Sequence, residues 1–181
     1  SEQARTDFGL QTKFRIIPGS IGIYKFGNDE VPVAEMEEIV VNSKDMPFED
    51  YVACRRMHLL IETYFNKGLF EEVFSSLEGL NIPVFDVLAH LHDRDDLYSP
   101  RMREIFQSFI KATVDDLHDS RENIQEMISK SDVLDKYMTG EFAKNELLEH
   151  RAMLYLEFDE IADVLIAGIK DLLGGRGLLT E

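Results

Sequence analysis

At 181 residues, with 44% apolar and 30% charged side chains, the chain is long enough to bury a sizeable core and too apolar to stay disordered. Its 35 acidic against 19 basic residues give a formal charge of −16, which excludes the basic face that nucleic acid or an anionic membrane rewards. The single cysteine, Cys54, excludes an intrachain disulfide, cannot hold an iron–sulfur cluster that takes roughly three or four thiolates, and fits a reducing, cytoplasmic compartment.

Residues 1–12 are polar and are expected to be loose. Apolar, β-branched runs follow at Phe14, Ile16 and Ile17, at Ile21, Ile23 and Tyr24, and at Val31, Val33 and Ile39 to Val41. Pro18-Gly19 and Gly27-Asn28-Asp29 punctuate them as turns, which predicts an antiparallel meander. A helix opens at Pro47, with Glu49 and Asp50 in its first turn, and stops before Gly68. Further helices are predicted over 70–80, 83–92, 99–130 (opened by Ser99-Pro100), 132–138 and 141–173, the last closing at Gly174-Gly175. Its stripe of Leu147, Leu154, Phe158, Ile161, Leu165 and Leu172 is widened by Leu148, Tyr155, Ala162, Ile166 and Ile169, as in a bundle. The fold class is therefore mainly α, a helical bundle over 47–181, with a small N-terminal antiparallel β-meander and linker over 1–46. No apolar stretch nears the ~20 residues of a membrane helix and no signal peptide is visible. The start at Ser1 in place of Met suggests a segment of a longer protein.

Arg55, His58 and Glu62 are spaced by three and four, on one face of a helix that is otherwise apolar nearly all round. Buried charges need partners. The three either line a pocket for an anionic or polar substrate group or form a structural ion-pair network. His90 and His92 point roughly 200° apart on a helix and cannot share one ion there. Glu146, Glu149, His150, Glu157 and Glu160 lack the Glu-x-x-His spacing of a di-metal carboxylate site, so no metal ligands are assigned. Gly19-Ser20-Ile21-Gly22 has no following phosphate-loop Lys, and Cys54 is expected to be an inert buried thiol.

Three stretches resemble a known family. They are FRIIPGSIGIY from Phe14, the segment from Val31 through Glu37-Glu38-Ile39-Val40-Val41, Phe48-Glu49-Asp50-Tyr51, Arg55 and His58-Leu59-Leu60, and MTGEFAKNELLEHRAMLYL from Met138, in which Gly140 and Asn145 open the last helix. Their order resembles the region after the catalytic core in cobalamin-binding radical S-adenosylmethionine (radical SAM) enzymes. The resemblance implies a parent enzyme that uses a 4Fe-4S cluster, S-adenosylmethionine and cobalamin, all held upstream and none bound by this chain. It implies a C-terminal accessory domain, without catalytic residues of its own, that packs in cis on the upstream barrel and helps shape the substrate site, with Arg55, His58 and Glu62 facing substrate. The alternative is a stand-alone helical interaction module whose partner is another protein or a second copy in a homo-oligomer.

Overall fold

Pro18-Gly19 and Gly27-Asn28 interrupt the β-branched run of residues 11–42, and the two interruptions fold differently. The computed structural model describes residues 2–139, 141–142 and 145–178. In it the run forms four strands, β1 (Gln11–Ile16), β2 (Gly22–Phe26), β3 (Asp29–Val33) and β4 (Met36–Asn42). Gly27 takes φ +64° in a two-residue turn, a conformation open to glycine and matched to the twist of a hairpin, so β2 pairs antiparallel with β3 and Tyr24 lies opposite Val31. At the other break Gly19 takes φ +76°, the Ile17 N–H donates to the Glu35 carbonyl at 2.9 Å, and the Ser20 hydroxyl accepts from the Glu35 N–H at 3.1 Å. These bonds carry the ribbon across its kink, so β1 pairs with β4, with Phe14 opposite Glu38 and Ile16 opposite Met36. The β region is thus a small antiparallel one, as expected, but its strands are nested pairs rather than a sequential meander.

Within the stretch expected to be loose, residues 2–8 are helical and residues 11–12 open a strand. The helix is α1 (Glu2–Phe8), whose Arg5 makes a bidentate pair with Glu38 at 2.7 and 2.8 Å. Lys44 Nζ donates to the Asp7 carbonyl at 2.7 Å and ties down the end of α1.

The chain divides into two compact units. The first comprises residues 1–52 and 111–146. A two-stranded ribbon cannot bury a face alone. Here Ile16 packs with Ile124 and Ile128 of α6 (Arg121–Ile128), and Phe14, Met36 and Tyr137 close around them, Tyr137 from α7 (Ser131–Met138). The expected boundary at 46/47 does not coincide with this division, because the strands take helices from far along the chain as their cover. The same pairing splits the helix expected over 99–130. It ends as α5 (Pro100–Asp115); Phe14 and His118 then exchange backbone bonds at 2.8 and 2.7 Å, and Ser120 caps α6 by accepting the Asn123 N–H at 3.1 Å.

The second unit comprises residues 53–110 and 147–181. Within it α2 (Phe48–Tyr64) buries Leu59, Leu60, Thr63 and Tyr64, and α3 (Glu71–Glu78) buries Phe74 and Leu77. Leu91 of α4 (Val84–Asp93) lies so close to α9 (Phe158–Gly175) that a Cβ at Gly168 would overlap its Cδ2. The helix expected over 141–173 is two, α8 (Glu146–Leu156) and α9, broken at Glu157 with φ −102° and ψ 41°. The break narrows the expected apolar face: Leu154, Ile161 and Leu165 are buried, whereas Leu148, Phe158 and Ile166 are exposed. α2 is also less enclosed than its composition suggests. Cys54 lies away from the buried side of the helix and is exposed, which corrects the expectation of a core thiol. Gly140 lies outside the described residues. Among those described, no helix is long and apolar enough to cross a membrane.

Candidate functional site

The α2 spacing of Arg55, His58 and Glu62 brings two of the three into direct contact. Arg55 Nη1 donates to His58 Nδ1 at 2.9 Å. A guanidinium has no acceptor, so Nδ1 must be the unprotonated nitrogen and the remaining ring proton sits on Nε2. The Arg55 guanidinium lies 5.6 Å over the ring of Phe109 on α5. Phe109 in turn meets the His150 ring of α8 edge-on at 5.6 Å, and His150 Nε2 lies 3.1 Å from the Ser108 hydroxyl. Three helices thus converge on one seam. It is largely closed: Phe109 is fully buried and His150 is only 3% exposed. Arg55 and His58 are partly buried. A guanidinium beside a neutral imidazole presents N–H donors and suits a carboxylate or another anionic group.

Glu62 is committed elsewhere. Its carboxylate accepts from Arg151 Nη1 of α8 at 2.6 Å and from the Asn66 amide. The hydrogen bond from Asn66 comes first in holding the Glu62 carboxyl below the usual range, against a burial cost, with Arg151 adding to it. The Tyr155 hydroxyl donates towards the Glu62 and Thr63 carbonyls at 3.2 and 3.3 Å. Glu62 therefore joins α2 to α8.

The first unit carries a second polar cluster that the sequence reading missed. Arg15 of β1 bonds Glu37 of β4 through Nε at 2.5 Å and Glu146 through Nη1 at 3.2 Å. Asp116, after α5, is pushed up to about 6, first by burial and then by the Glu146 charge, with Arg15 pulling the other way. These carboxylates are separated by 30 to 109 positions in sequence, and no local spacing links them. His90 bonds Asp171 at 2.8 Å, whereas His92 bonds the Ala53 carbonyl at 3.2 Å, so the two histidines have separate partners. Among the described residues no group of three or more His, Cys, Asp or Glu side chains is placed to hold a metal ion.

The β2–β3 ribbon is the other feature with functional potential. Side chains alternate along a strand, so Tyr24 and Phe26 share one face with Val31 and Val33. Tyr24 is 57% and Phe26 68% exposed. Among the described residues β2 and β3 pair only with each other, which leaves an outer edge on each strand. Comparison with protein-family models, with curated proteins and with solved structures found no match to this chain.

Proposed function

We propose that the chain is the C-terminal accessory domain of a cytoplasmic radical S-adenosylmethionine enzyme of the cobalamin-binding kind, and that it packs in cis on the upstream barrel through the β2–β3 ribbon. The observation that carries this reading is the exposed face of Tyr24, Phe26, Val31 and Val33 on a ribbon with two open edges. Such a surface is a liability in water and is suited to cover by a folded partner. The family resemblance supplies that partner. The cofactors would belong to the upstream part, because the residues here do not fit a 4Fe-4S cluster: Cys54 is the only thiol. Arg55 and His58 are the groups of this chain best suited to meet an anionic portion of substrate, with Glu62 tying the same face of their helix to α8.

The same exposed face fits a module that docks a separate protein or a second copy. One experiment separates the readings. The product of the full reading frame, prepared without oxygen, is expected to carry iron and sulfide and to release 5′-deoxyadenosine from S-adenosylmethionine. Arg55→Ala in that product is expected to lower turnover while leaving the folded yield unchanged. A full product without a cluster would leave the interaction module as the better account.

A further inference from the structure

Helix α3, EEVFSSLE, turns Phe74 and Leu77 into the core and leaves Glu71, Ser75 and Glu78 exposed, at positions that share one helical face. Beside it lies a groove of about 420 Å³ walled by Phe65, Phe74 and Val84, with Glu71, Ser75 and Glu78 on its lining. Phe65 meets Phe74 edge-on at 6.1 Å, so part of the wall is aromatic. A second depression of about 280 Å³ is lined by Glu78, Asn81, Ile82 and Pro83. Glu78 therefore lines both depressions, the larger of which has the aromatic wall. The larger falls in the ~300–1,000 Å³ range of pockets that take small ligands or side chains.

The charge pattern selects what fits. α3 carries three carboxylates, Glu71, Glu72 and Glu78, and no cation. Among the described residues none of the three has an ion-pair partner, whereas Glu38, Glu62 and Asp96 are each paired with an arginine. Leu80 and Phe85, on either side of Pro83, are exposed as well, Phe85 by 64%. A carboxylate beside an apolar, partly aromatic wall favours a cationic head whose stem and neighbours are apolar.

We infer that this groove docks a short protein segment in which a Lys or Arg is flanked by apolar side chains, the cation meeting Glu78 and the apolar side chains entering the two depressions. An acidic segment is disfavoured both by the three local carboxylates and by the net charge of −16. The site lies wholly within the second unit and does not depend on the radical-enzyme reading.

The test uses the 181-residue chain and fluorescein-labelled dodecapeptides read by anisotropy. One peptide is built from Leu and Lys, one from Leu and Glu, and one from Ser and Lys at the same charge as the first. The Leu/Lys peptide is expected to bind saturably, and the other two at least about tenfold more weakly. Glu78→Lys is expected to weaken Leu/Lys binding by about tenfold, and Glu126→Lys, an equal charge change on α6, by less than about twofold. Ser75→Trp, which fills the groove from an exposed position, is expected to match Glu78→Lys. Circular dichroism checks that each variant is folded. Absence of saturable binding, equal loss in Glu78→Lys and Glu126→Lys, or equal binding of the Ser/Lys peptide would each overturn the inference.

Discussion

Arg151 on α8 reaches Glu62 on α2 with a 2.6 Å ion pair across 89 positions of sequence, and both side chains are only 16% exposed. Removing one partner leaves a mostly buried charge without its mate. Arg151→Met is therefore expected to cost roughly 1–3 kcal/mol, below the full buried-pair range because the pair retains some solvent. Glu62→Gln should cost a similar amount, and the double variant less than the sum of the two. Urea unfolding of all four proteins checks this. Additive losses would show that the two side chains do not act as a pair.

The contact of α4 with α9 rests on the absence of a side chain at Gly168. A methyl there would overlap Leu91 Cδ2, so the fully buried Leu91 side chain would have to shift. Gly168→Ala is expected to destabilise by about 1–3 kcal/mol, more than the helix propensity it gains. Gly175 ends the same helix with nothing within 4 Å of its would-be Cβ. Gly175→Ala should be neutral or stabilise by up to ~1 kcal/mol. Thermal melts of the pair separate packing from propensity.

Asp116 gives the first unit a pH dependence of defined sign. Its folded carboxyl is pushed up to about 6, first by burial and then by Glu146, with Glu37 adding and Arg15 opposing. Tyr137 also faces it, and its hydroxyl is itself raised, chiefly by burial. An unfolded aspartate titrates near ~3.9. Below that value both states are protonated, and the contribution of Asp116 to stability is at its most favourable. It is lost as pH rises through about 6. Asp116→Asn should therefore stabilise by about 1–2 kcal/mol at neutral pH, after discount for partial exposure, and the difference should vanish near ~pH 4. Glu38 works in the opposite sense. Hydrogen bonds from Arg5 and Thr12 hold it down to about 2, so its contribution is present above the unfolded value and fades as pH falls towards 2. Denaturant titrations across pH 3 to 8 read both, and an Asp116→Asn advantage independent of pH would contradict the assignment.

Much of the helical framework was legible because its signals are local. Pro47, Pro83 and Ser99-Pro100 mark helix starts that the structure keeps within one or two residues. The misses share a cause. The end of α5 is set by the backbone bridge between His118 and Phe14, over a hundred positions apart. The break at Glu157 has no glycine or proline to announce it. The candidate site divides in the same way. The contact of Arg55 with His58 follows from a step of three on one helix. The engagement of Glu62 by Arg151, and of Arg15 by Glu37 and Glu146, depends on tertiary placement that no spacing rule encodes.

The proposed function turns on the ribbon. Hydrogen exchange of residues 22–33, compared between the isolated chain and the product of the full reading frame, is the measurement that decides whether β2 and β3 are covered in cis. The amides on their outer edges are expected to slow by about tenfold or more in the longer protein, and Phe26→Asp is expected to abolish that slowing without unfolding the rest of the first unit. Identical exchange in the two proteins would contradict the account.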